Sequence, residues 1–136
     1  MNEEHDKMCL DLAVRLNDLG MIYVSVFKRF RFKDLEGEID ICGYNLKDGS
    51  YLLFEIKSGK SSDEKARIQL LKAMGYIYKF ELEDYIKAYY VCKDGFKIEF
   101  LYKDGVLKDY KYKTEYHSKR LDVLIYNLLQ NEKYIR

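Results

Sequence analysis

Two short strand-like stretches hold the residues of this chain best suited to chemistry: Glu38 and Asp40 in Gly37-Glu38-Ile39-Asp40-Ile41, and Glu55 and Lys57 in Leu53-Phe54-Glu55-Ile56-Lys57. Side chains alternate along an extended strand, so each pair is expected to share a face while Ile39, Ile41, Phe54 and Ile56 turn the other way. Three carboxylates and one ammonium would then converge, and the apolar residues behind them would pack on a helix and hold the strands rigid. Two carboxylates on adjacent strand ends make a hard oxygen site suited to Mg²⁺ or Mn²⁺, ions that keep waters and accept a phosphate oxygen. Such an ion polarises a scissile phosphate and activates a bound water, while a nearby ammonium orients that water and offsets charge building on phosphorus. Lys57 has that ammonium's position.

These strands need a scaffold, and hydrophobic periodicity supplies one. Cys9, Leu12, Ala13, Leu16 and Leu19 recur at helical spacing and Gly20 follows as a stop, which predicts a helix over Glu3–Leu19. Met21 to Phe32, Glu38 to Tyr44 and Tyr51 to Lys57 read as strands, the last two joined through an Asp48-Gly49 turn. A polar loop leads to a second helix over Asp63 to Phe80, interrupted only by Gly75. Strands over Tyr85–Cys92, Phe96–Tyr102 and Val106–Tyr112 form a meander. A closing helix carries Leu121, Leu124, Ile125, Leu128 and Leu129, with Ser118 as its N-cap. The stripe on that helix is broad enough to cover the sheet or to pair with a second copy in a homodimer.

With the elements in this order, Gly37-Glu38-Ile39-Asp40-Ile41 followed by Leu53-Phe54-Glu55-Ile56-Lys57 resembles the PD-(D/E)XK signature of Holliday-junction resolvases and other small restriction-endonuclease-like nucleases, over about Leu10 to Ile77. The resemblance implies a restriction-endonuclease-like core in which a central mixed β-sheet is flanked by helices; with the C-terminal β-meander and closing helix read above, a single α/β domain spanning residues 1–136 is expected. It implies a Mg²⁺- or Mn²⁺-dependent nuclease acting on DNA, with RNA as a further substrate class. Asp40, Glu55 and the Ile56 carbonyl would be metal ligands and Lys57 the catalytic lysine. Many members add a first-helix acid, for which Asp11 is the better candidate and Glu4 the alternative; a Gln on the following helix, here Gln69, often faces the site. The chain departs from the pattern in having Ile39 where a proline is usual and Asp rather than Glu on the first helix. The rival expectation is the same fold with a degraded site, binding nucleic acid without cutting it, or serving as an interaction subunit.

Charge placement bears on the same question. The net charge is only +1, so total charge makes no case for nucleic acid. Lys28, Arg29, Arg31 and Lys33 interleave with Phe30 and Phe32 in a stretch suited to a phosphate backbone and exposed bases, although charge also keeps an edge strand soluble. Lys60, Lys65 and Arg67 lie just past the motif, where a phosphate could be gripped. Glu38 either caps a turn or pairs with Lys57, and His5 and His117 read as ordinary surface histidines. The tyrosines read as structural. Cys9, Cys42 and Cys92 are odd in number, widely spaced and without a CxxC or Cys/His pairing, which argues against both a disulfide framework and a structural zinc site and leaves buried or bystander thiols. No apolar run reaches the roughly 18 residues of a membrane span and the N-terminus is acidic, so a cytoplasmic protein is expected.

Overall fold

The computed structural model describes residues 3–32, 35–57, 63–92, 95–110 and 116–117. In chain order the elements are α1 (Glu3–Asp18), β1 (Met21–Phe32), β2 (Leu35–Asn45), β3 (Tyr51–Ile56), α2 (Asp63–Phe80), β4 (Tyr85–Cys92), β5 (Gly95–Lys103), β6 (Val106–Asp109) and β7 (Tyr116–His117). They build an α/β domain around one mixed sheet in the order β1-β2-β3-β4-β5-β6, with β7 on β5. β3 and β4 are parallel and every other pair is antiparallel, so α2 serves as the crossover that a parallel pair requires. The last meander strand ends at Asp109, short of the expected Tyr112. The expected closing helix lies outside the described residues, as do Lys33 and Lys60. Among the described residues no helix is long and apolar enough to cross a membrane.

Each face of the sheet buries the apolar stripe of one helix. Cys9, Leu12, Ala13 and Leu16 of α1 pack with Ile41, Leu52, Phe54, Ile56, Tyr89 and Val91. On the other face Leu70, Ala73, Met74 and Ile77 of α2 meet Ile39, Cys42, Leu53, Ile86, Ala88 and Phe100. All six residues of β3 are buried, as expected of a strand covered on both sides. Such aliphatic and aromatic side chains each gain about 1.5–3 kcal/mol on full burial, which fixes the strand under the site.

One expectation from strand alternation fails here. Ile39 joins the α2-side core and Ile41 the α1-side core, so the two do not share a face. At the same level of β1, the neighbours Val26 and Phe27 both pack on the α1 side, and Phe27 has a φ of 53°. That left-handed backbone angle turns β1 over, and β2, kept in register by the Val26–Ile41 and Lys28–Ile39 pairs, turns with it. Asp40 sits at the turnover.

Two further irregularities anchor the sheet. β1 holds an extra residue between Ile22 and Ser25, with Tyr23 at a φ of 53°, and Gly43 of β2 accommodates it. A Cβ at Gly43 would stand 2.9 Å from the Ile22 carbonyl oxygen and 2.7 Å from the Met21 methyl carbon. In β5 the extra residue opposite Ala88 and Tyr89 is Glu99, whose buried carboxylate receives Arg67 Nη1 at 2.5 Å and lies 3.3 Å from Lys97 Nζ. Arg67 also reaches Asp109 at 2.7 Å and covers the Phe100 ring, so it pins α2 to β5 and β6 and does not offer itself to a phosphate.

Gly43→Ala is expected to destabilise the fold by about 2 kcal/mol, because backbone cannot move aside cheaply. Gly75→Ala on α2, where a Cβ meets nothing within 4 Å, should instead stabilise by about 0.5–1 kcal/mol. Urea denaturation of the two variants checks the opposite signs.

Candidate metal centre

The β2–β3 ladder ends at the Ile41–Phe54 pair, and in that register Asp40 and Glu55 would be the next partners. There the strands part. The Ile56 amide donates to Asp40 Oδ2 at 2.8 Å, so a buried carboxylate takes the place of the missing ladder bond. Within a strand the amide and carbonyl of one residue point toward the same neighbour, which aims the Ile56 carbonyl oxygen into the same gap. The next amide, that of Lys57, turns the other way and donates to the Val91 carbonyl at 2.9 Å.

Glu55 is only 7% exposed, and Lys57 Nζ lies 3.3 Å from its Oε1. Burial, followed by the negative charge of Asp40, pushes the Glu55 carboxyl up to about 7, with Lys57 and His5 acting in opposition. Burial of two carboxylates at one strand end therefore makes full ionisation of both costly. Asp40, Glu55 and the Ile56 carbonyl are all hard oxygen donors, a set that fits Mg²⁺ or Mn²⁺.

The first helix contributes a residue the sequence reading misjudged. His5 is half-buried, with Nε2 donating to Asp40 Oδ2 at 3.2 Å and Nδ1 3.3 Å from Asp6 Oδ1. It is not a bystander surface histidine. Burial opposes its charge, but Asp40 and Asp6 together outweigh that and raise the imidazole pKa above its ordinary value. Cys9, one helical turn on, is fully buried with Sγ 3.7 Å from His5 Nε2. Burial first, then Asp40, Asp6, Glu55 and Glu38, push its thiol up to about 12. The signal was available in the sequence: His5 and Cys9 are four residues apart on a predicted helix, hence on one face.

The other expected residues are distributed as follows. Asp11 is exposed and lines a shallow groove of about 170 Å³ with Met8, Leu12, Arg15, Ile56 and Val91; the α1 side chain that hydrogen-bonds to Asp40 is His5, and Glu4 is exposed. Gln69 reaches β2 at Gly37, where its Oε1 would lie 3.4 Å from a Cβ, beside the Phe30 ring. Glu38 pairs with Arg29 at 3.5 Å and not with Lys57. Lys28 is half-buried and ion-paired with Glu81 beyond the end of α2, which removes it from the basic patch, whereas Arg29 and Arg31 are exposed.

Because folding raises the Glu55 pKa above the 4.5 of a free side chain, this group stabilises the fold fully below that value, and the contribution is lost as pH rises through about 7. Glu55→Gln should therefore match wild type near pH about 4.5 and exceed it by on the order of 2 kcal/mol near pH about 8.5, the upper bound from the full shift being about 3 kcal/mol. Urea titrations across this range without divalent ions measure the difference, and a difference independent of pH would contradict the assigned coupling.

No protein-family model, curated protein or solved structure matches this chain.

Proposed function

We propose that this chain is a metal-dependent nuclease with a restriction-endonuclease-like core, hydrolysing phosphodiester bonds in DNA, with RNA as a further substrate class. The observation that carries the reading is that Asp40 and Glu55 occupy the positions next to the last ladder pair, where β2 and β3 part. The latter carboxyl is held near neutrality by burial and by the former's charge, with Lys57 3.3 Å away. Such a pair is relieved by a cation, and the oxygen donors are those a hard divalent ion takes.

Asp40, Glu55 and the Ile56 carbonyl would hold the ion. When bound, Mg²⁺ or Mn²⁺ supplies polarisation of the phosphate and a more acidic water. Asp40 is fixed for this by the Ile56 amide, so its carboxylate needs little reorganisation. Lys57, a quarter exposed on its side chain, keeps its ammonium beside Glu55 and open to a substrate, where it orients water and offsets charge on the phosphoryl oxygens. Arg29, ion-paired with Glu38, and Arg31, opposite Glu36 on the ladder, are exposed cations that would meet the backbone phosphates on either side. A second reading, a nucleic-acid-binding module without cleavage, is favoured by one observation: the His5 imidazole already donates a hydrogen bond to Asp40, whose charge raises its pKa.

Asp40→Asn or Glu55→Gln should abolish Mn²⁺ binding by calorimetry and abolish cleavage of a panel of labelled duplex, single-stranded, flap and junction substrates. Lys57→Met should retain Mn²⁺ and substrate affinity yet lose at least about a hundredfold in single-turnover rate, since its ammonium acts chiefly in the transition state. Wild-type cleavage by Lys57→Met removes the lysine from the mechanism. Inactivity of the wild type on every substrate, with nucleic-acid binding intact, supports the binding module. Replacing Arg29 and Arg31 together should lower the slope of log affinity against log salt by about 1–2.

A further inference from the structure

We propose that His5, Cys9 and Asp40 form a second kind of metal site, for a borderline transition ion of the Zn²⁺ class, on the seam between α1 and β2. The inference joins two donors that the nuclease reading leaves idle, His5 and Cys9, to Asp40, which both readings use, and it does not depend on that reading.

Among the described residues these three form one group whose nitrogen, sulfur and carboxylate ligand atoms all lie within 4.8 Å of one another. Bonds of about 2.0–2.3 Å set at tetrahedral angles separate neighbouring donors by roughly 3.3–3.7 Å. The observed separations are 3.2 Å from His5 Nε2 to Asp40 Oδ2 and 3.7 Å from the same nitrogen to Cys9 Sγ. Nε2 is thus the ring nitrogen turned toward both other donors. The opposite nitrogen, Nδ1, faces Asp6 Oδ1 at 3.3 Å, and a carboxylate in that place orients a metal-bound imidazole and fixes its tautomer. His5 and Cys9 lie one turn apart on α1, while Asp40 is held by the Ile56 amide, so each ligand stands on a regular element packed into the α1-side core.

The donor chemistry selects the ion. A thiolate and an imidazole are poor ligands for Mg²⁺, which wants an octahedron of oxygens, and good ones for Zn²⁺ or Co²⁺. Three protein donors leave one tetrahedral position for water or a further ligand. Because Asp40 belongs to both donor sets, the borderline ion and the hard ion compete for it.

The test is anaerobic titration of the full chain with Co²⁺ under a non-thiol reductant, read by absorbance. Expected are one equivalent bound, a thiolate-to-cobalt charge-transfer band in the near ultraviolet, displacement by Zn²⁺, and persistence in excess Mg²⁺. Cys9→Ala should lose the band, His5→Gln should weaken binding about tenfold or more, and Asp6→Asn by several-fold up to about tenfold. Circular dichroism establishes that each variant folds, and the partly exposed His5 and Asp6 give readouts that do not disturb the buried Cys9. Glu55→Gln should keep the band while losing Mn²⁺, which separates this site from the oxygen site. Absence of Co²⁺ binding, a bound ion without the band, a band that survives Cys9→Ala, or release by Mg²⁺ would each overturn the proposal.

Discussion

The hydrogen bond from the Ile56 amide to the Asp40 carboxylate is the contact on which the site depends. A hydrogen bond to a charged acceptor contributes about 1.5–3 kcal/mol, and a buried carboxylate left without one would cost several kcal/mol. Here it does the work of a ladder bond at the point where β2 leaves β3, so the strands can part without orphaning an amide in the interior. The parting creates the gap, the bond fixes one carboxylate in it, and strand geometry turns a carbonyl oxygen toward the same space. Glu55 follows on the adjacent position with Lys57 beside it. The carboxylate also meets the imidazole of His5, in the first turn of α1.

Much of this scaffold was legible in the sequence because burial writes itself as periodicity. The stripes Cys9-Leu12-Ala13-Leu16 and Leu70-Ala73-Met74-Ile77 each lie on one helix face, and each helix covers one side of the sheet. Glu55 on a wholly buried strand was legible for the same reason, since a charged residue in such a strand stands out, and Lys57 follows just past its end. What escaped was whatever depends on departures from periodicity. The turnover of β1 and β2 at Phe27 and Asp40 inverts the expected facing of Ile39 and Ile41, and no local residue announces a left-handed Phe. The bulge that exposes Glu99 to Arg67 is likewise a matter of pairing between distant strands, so a lysine- and arginine-rich segment looked like a phosphate grip where one of its members is a buried strut. Lys28 shows the same effect, its partner Glu81 lying far along the chain. His5 and Cys9 were visible as a spacing but carried no meaning until Asp40 arrived beside them.

The charges around the gap are unevenly matched. His5 and Lys57 face Asp40, Asp6 and Glu55, with Glu38 near enough to act on Cys9 and itself engaged with Arg29. These carboxylates are partly buried, where opposite charge is worth most. On either proposed reading, a bound cation would offset them there.

The placement of the donors along the chain also sets how each donor set is linked to folding. Asp40, Glu55 and the Ile56 carbonyl belong to one hairpin, whose strands meet across a short turn at low loop-closure cost. His5 and Cys9 arrive only when α1 docks across a separation of 35 residues between His5 and Asp40. An oxygen-bound ion would therefore rigidify a hairpin, whereas an ion reaching the nitrogen and sulfur would tie the first helix to the sheet, making docking of that helix a metal-linked folding step.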